Sequence, residues 1–135
     1  MRAPELLDTD NNDGRGQFSR RSDIWAMGCI LFQLATTNGA KPAFKDDWSV
    51  MAYAHGLKKC PEIDDRDNPS RGREIYCPDE KSKTTCLSQI NSVLALCFAR
   101  EPSARATTMK LKVTFERMKA YLMDDMNEEE RKRWL

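Results

Sequence analysis

From Asp23 to Leu34 the chain reads Asp-Ile-Trp-Ala-Met-Gly-Cys-Ile-Leu-Phe-Gln-Leu, and its only charge stands at the first residue. Wound at 3.6 residues per turn, this run puts apolar side chains on every face and leaves no wet side, so the helix must be surrounded by protein. A bilayer span needs roughly 20 apolar residues, and this run is too short. It is therefore expected to be the central post of a helical core. Ser22 is placed to cap its N-terminus and Asp23 to favour the positive end of its dipole. Asn38-Gly39 supplies a stop signal.

The flanking segments read as helices around that post. A helix is expected from about Asp46 to Leu57, with a mixed apolar pattern from Trp48, Val50, Met51, Tyr53 and Ala54. Another is expected over Thr85–Ala99, where Leu87, Ile90, Leu94 and Cys97 share a face until Glu101-Pro102-Ser103 breaks it. A last helix opens at Thr107 or Thr108 and buries Leu111, Phe115, Met118 and Leu122. The tail carries Glu128-Glu129-Glu130 before Arg131-Lys132-Arg133, a pattern that suits either helix extension or a frayed terminus. Residues 8–22 and 58–83 are rich in turn formers and read as loops, the second a long surface connection punctuated by Pro61, Pro69, Gly72 and Pro78. No strand is expected, and the fold class is all-α. The domain division is 1–122 for the body and 123–135 for the charged tail.

Composition narrows the functional classes. With 22 basic and 21 acidic residues the net charge is +1. A nucleic-acid or membrane-surface protein normally gathers a basic excess on one face, so neither partner is expected. Five cysteines without Cys-x-x-Cys spacing point to a reduced, intracellular setting. The single His55 has no paired ligands nearby, so no metal site is expected. Gly14-Arg15-Gly16 lacks the preceding strand, the third glycine and the downstream lysine of a phosphate-cradling loop.

Three separated motifs, in order, resemble the second half of a eukaryotic protein kinase catalytic domain. Arg2-Ala3-Pro4-Glu5-Leu6-Leu7 is similar to the Ala-Pro-Glu motif that closes the activation segment. Ser22-Asp23-Ile24-Trp25-Ala26-Met27-Gly28 resembles the Asp-x-Trp-x-x-Gly start of the family's central F helix. Arg100-Glu101-Pro102-Ser103-Ala104-Arg105-Ala106-Thr107 resembles the Asp-Pro-x-x-Arg-Pro-Thr turn between helices H and I, with Glu101 and Ala106 as departures. The resemblance runs from Arg2 to about Leu122. The stretch between Glu5 and Asp23 is longer than the family's, and the excess falls on Asp8–Gly16.

The resemblance implies roles for particular residues. Without it, Glu5 and Arg105 would read as ordinary surface charges; with it, they are expected to form a partly buried ion pair. Asp23, which in the family holds the catalytic loop, is left here with helix capping and water. Trp25 is expected under the Ala3-Pro4-Glu5 turn, and Gly28 at a close helix contact, because glycine inside a helix costs about 1 kcal/mol relative to alanine. Ile30 and Leu34 would sit under an apolar stack that this chain does not supply, leaving a strip exposed. The Asp46–Leu57 helix corresponds to the family's G helix, a docking surface for proteins, where Trp48 and Tyr53 are candidate contacts. Aromatics at that spacing more often pack inward.

Phosphoryl transfer in the family needs ATP and magnesium held by a glycine-rich loop, a strand lysine, a catalytic aspartate and a metal-binding aspartate. This sequence contains no Gly-x-Gly-x-x-Gly, no Val-Ala-Ile-Lys-like strand, no His-Arg-Asp and no Asp-Phe-Gly. No catalytic, cofactor-binding or metal-binding residue is therefore assigned, and no cofactor is expected for this chain. Two functions follow from the residues. One is a catalytically inactive fragment of a kinase domain, leaning to serine/threonine specificity. The other is a self-standing helical protein that binds partners through the G-helix surface.

Overall fold

The computed structural model describes residues 1–8, 18–36, 41–64, 66, 74–77 and 81–134. Gly14-Arg15-Gly16, Asn38-Gly39, Pro69, Gly72 and Pro78 lie outside the described residues. In chain order the elements are α1 (Pro4–Leu7), α2 (Arg20–Ala35), α3 (Asp47–Ala54), β1 (Glu74–Cys77), β2 (Ser82–Thr85), α4 (Cys86–Cys97), a 3-10 turn (Pro102–Ala104), α5 (Thr108–Asp125) and α6 (Glu128–Trp134).

The helices begin where short polar side chains can take up an unpaired backbone N–H. Asp46 accepts from Ser49 N at 2.8 Å, Thr85 from Ser88 N at 3.0 Å, and Thr107 from Lys110 N at 3.1 Å. The cap of α2 corrects the expectation from sequence. Ser19, not Ser22, accepts from Ser22 N, so the helix starts three residues earlier. Ser22 lies buried in the first turn, where its hydroxyl serves Glu5 instead. Thr36 caps the C-terminal end of the helix.

Trp25 is the centre of the core. Its ring stacks on Phe44 at 5.0 Å between centroids and meets Phe98 edge-on at 5.1 Å, while Phe44 and Phe98 meet edge-on at 5.2 Å. Ala3, Leu6, Phe32, Val50, Leu87 and Leu94 close around this cluster. Offset and edge-on aromatic pairs add about 0.5–1.5 kcal/mol each beyond their buried area. That gain stands against an internal cost, because Trp25 Nε1 is buried with no hydrogen-bond partner among the described residues. A second cluster of Ile24, Val93, Cys97, Ala106 and Leu111 fills the space between α2, α4 and α5.

The chain is mostly helical but not all-α. β1 and β2 pair antiparallel, with Glu74 opposite Thr85, Ile75 opposite Thr84, Tyr76 opposite Lys83 and Cys77 opposite Ser82. Ile75 and Cys77 are buried against Cys86 and Tyr121, and Tyr76 between them faces out. Burial thus alternates with period two over only three residues, too short a run to stand out against the surrounding turn formers. The expected surface connection over 58–83 is also anchored at Ile63, which is fully buried. Asn91 holds it there as a neighbouring strand would, accepting from Ile63 N and donating to Ile63 O, both at 2.9 Å.

The tail forms a helix. Asn127 and Glu130 satisfy each other's backbone N–H groups, at 2.9 and 3.2 Å, in a capping box. Arg131 donates from Nε to Met123 O at 2.7 Å and so covers the carbonyl end of α5. Residue 122 lies within α5.

Candidate functional site

The strongest polar constellation is built on Arg105. It leaves the 3-10 turn that Pro102 initiates, and its side chain runs back into the core, fully buried. Its two terminal nitrogens donate to the two carboxylate oxygens of Glu5 at 2.6 and 2.8 Å. Nη1 also donates to Arg21 O at 3.1 Å, and Nε donates to Ala99 O at 2.9 Å. The guanidinium carbon lies 5.0 Å from the Trp25 ring centroid. One side chain therefore joins α1, the first turn of α2 and the end of α4. Arginine suits the task because its planar fork matches a carboxylate bidentately and keeps its charge when buried.

Glu5 is held from both sides. Burial alone would raise its pKa, but the bonds and charge from Arg105, its backbone environment and the Ser22 hydroxyl at 3.1 Å hold it below the usual value. Arg21 completes the cluster by donating to Arg105 O at 2.6 Å. Arg21 escaped notice in the sequence, where it was one of two adjacent arginines in a polar loop.

A second arginine, Arg100, binds α3 to the end of α4. It donates to Tyr53 O at 2.7 Å and Lys58 O at 3.2 Å, with its guanidinium 4.6 Å from the Tyr53 ring centroid. The Tyr53 hydroxyl in turn donates to Phe98 O, and burial pushes its pKa up to about 12, with the neighbouring Cys60 adding to the rise. The carbonyls it binds lie at the end of α3 and just after it, more than 40 residues away in sequence, and no local pattern marks Arg100 for them.

The remaining sequence candidates separate. Trp25 packs with Ala3 and Leu6 beneath α1. Gly28 lies at the α2–α4 crossing, where an added Cβ would stand 2.7 Å from Cys97 Cβ and 2.9 Å from Phe98 Cε1. Asp23 is exposed on the first turn of α2, where Ser19 has taken the capping role. Of the two aromatic candidates on α3, Tyr53 is buried and Trp48 is 77% exposed. Met27, Ile30 and Leu34 form an uncovered stripe down α2, the last two 60% and 75% exposed. Among the described residues no three His, Cys, Asp or Glu side chains come together as metal ligands, and no helix is long and apolar enough to cross a membrane.

Known proteins similar to this chain include serine/threonine-protein kinases and an activin receptor. It is 25% identical, over 98% of its length, to a probable serine/threonine-protein kinase of Dictyostelium discoideum, and covers 5% of that protein. It is 24% identical over 86% of its length to the activin receptor type-1-like protein of Rattus norvegicus, covering 23% of it. A probable inactive serine/threonine-protein kinase of Dictyostelium discoideum is 28% identical over 70% of the chain, which covers 7% of that relative. No family model matches the chain, and no solved structure matches it. The similarities cover most of the chain and indicate a kinase-like region of distant relationship. The chain spans less than a quarter of the length of these relatives.

Proposed function

We propose that this chain is the distal part of the large lobe of a kinase domain and serves as scaffold, without itself transferring phosphate. In that reading α2, α3, α4 and α5 are the family's helices F, G, H and I. The observation that supports it most is the bidentate Glu5–Arg105 pair, because it draws the three kinase-like motifs, spread over 100 residues, into one cluster around Trp25. The uncovered stripe of Met27, Ile30 and Leu34 fits the same reading, as the face on which the rest of the lobe would rest. The family acts on serine and threonine hydroxyls with ATP and magnesium, and the missing motifs are those that hold them.

Titrating Mg-ATP into the chain is expected to give no saturable heat; saturable binding would overturn the scaffold reading. The genomic sequence immediately upstream is expected to continue in frame through Asp-Phe-Gly and His-Arg-Asp motifs. Their absence would favour a second reading, a non-catalytic protein that binds partners through α3. The observation on its side is Trp48, an indole left almost wholly in water on that helix. Exposed tryptophan is enriched where proteins meet.

A further inference from the structure

Gly56 makes a cleft. α3 ends in a Schellman motif: Leu57 N donates to Ala52 O at 2.9 Å, Gly56 N donates to Tyr53 O at 3.0 Å, and Gly56 has a φ of +78°. The chain is thereby turned back along the helix, and residues 58–61 come to face residues 42–45 across a gap of 240 Å³. Its walls are Pro42, Ala43, Phe44, Ser49, Tyr53 and Pro61, a surface polar and apolar in about equal parts. Small-molecule sites usually run from about 300 to 1,000 Å³, so this space suits one side chain better than a cofactor.

The rim is cationic. Lys45, Lys58 and Lys59 line the opening, all exposed and, among the described residues, none in an ion pair. The carboxylate of Asp46 feels the charges of Lys45 and Lys58. It is occupied as the cap of α3, and the Ser49 N–H, followed by the charges of Lys45 and Lys58, keeps it ionised. Asp47 is paired with Arg2 at 3.1 Å. Three lysines against Asp46 leave two positive charges around a hole walled in part by proline and aromatic side chains. The next acidic group along the chain, Glu62, lines a separate groove beside α4.

We propose that this cleft takes one aliphatic or proline side chain from an extended, acidic segment of a partner protein, with the segment's carboxylates meeting Lys45, Lys58 and Lys59. The chemistry is complementary on both counts, since an apolar anchor fills the hole and flanking carboxylates answer the rim. Proline walls suit an extended peptide, because they offer flat apolar surface without competing N–H donors. The inference rests on the partner-binding reading only in placing a partner near α3, and it holds whether or not the chain belongs to a kinase lobe.

The test is fluorescence anisotropy with the whole chain and a labelled peptide, Glu-Asp-Leu-Asp-Glu. Saturable binding that weakens as salt is raised is expected. Replacing the central leucine by glycine should weaken it about tenfold, as should the Lys58→Glu/Lys59→Glu variant. That variant, its melting transition unchanged, should in turn bind Lys-Lys-Leu-Lys-Lys. Equal binding of the leucine and glycine peptides would overturn the proposal by reducing it to a charge effect. Binding unchanged in the lysine variant would overturn it too. Should Trp48→Ala abolish binding while the lysine variant does not, a partner surface on α3 survives and the cleft is wrong. No binding by any variant sinks both.

Discussion

At the scale of single residues, stability is concentrated in two side chains that few other types could replace. Arg105→Met leaves Glu5 without its partner and should cost about 3–5 kcal/mol in urea denaturation. The double variant Glu5→Gln/Arg105→Met should be less damaged than that single change, since no charge is stranded. Glu5 also sets an acid limit. Its folded-state pKa is depressed below the ordinary 4.5, so its contribution is fully present above that value and fades as pH falls through the folded value. Stability measured from pH 6 to pH 3 should fall, and Glu5→Gln should remove that share of the slope. Gly28→Ala should also destabilise, because the new methyl meets Cys97 Cβ, which is fixed to the α4 backbone. Overpacking costs about 1–3 kcal/mol, and alanine's better helix propensity returns only about 1. These sites were legible early, Glu5 and Arg105 through motif resemblance and Gly28 because a glycine inside a helix needs a reason. Arg21 and Arg100 were not, since neither periodicity nor composition shows that an arginine will bind carbonyl groups far away in sequence.

At the scale of elements, the turn chemistry makes a sharper prediction than the helices do. Gly56→Ala meets no steric neighbour, yet it forces a Cβ into left-handed backbone and should cost about 1–2 kcal/mol. A thermal melt checks this, and a neutral result would mean the turn relaxes. The helices themselves were readable because their apolar positions repeat and Thr85, Thr107 and Asp46 mark their starts. The start of α2 was misplaced because Ser19 and Ser22 offer the same hydroxyl three residues apart. Only the position of Glu5, remote in sequence, decides which of them is drawn away. The hairpin was missed for a related reason. β2 is Ser-Lys-Thr-Thr, with no apolar residue, so its pairing depends on Ile75 and Cys77 of β1 finding Tyr121 of α5. Such tertiary support leaves no local trace.

At the scale of the whole molecule, one face of the central helix departs from what its composition demands. The residues of α2 turned to solvent are Arg20, Asp23, Ala26, Met27, Ile30, Gln33 and Leu34, a single stripe that is apolar beyond its first turn except at Gln33. Replacing Ile30 and Leu34 by glutamine should change stability by no more than about 0.5 kcal/mol. It should also reduce the fluorescence of a bound anilinonaphthalene dye and improve soluble yield. A loss of several kcal/mol would show that the two side chains are packed after all. Arg105 gives the molecule a timetable as well as a lock. Glu5 leaves the ribosome 100 residues ahead of its partner. At about 5–20 residues per second it waits roughly 5–20 seconds for that arginine to be made. From the completion of Ala35 until Arg105 is made, α2 stands largely apolar and unsecured. The newborn chain should therefore depend on a chaperone that shelters a single helix for seconds, and the demand should end when Arg105 docks.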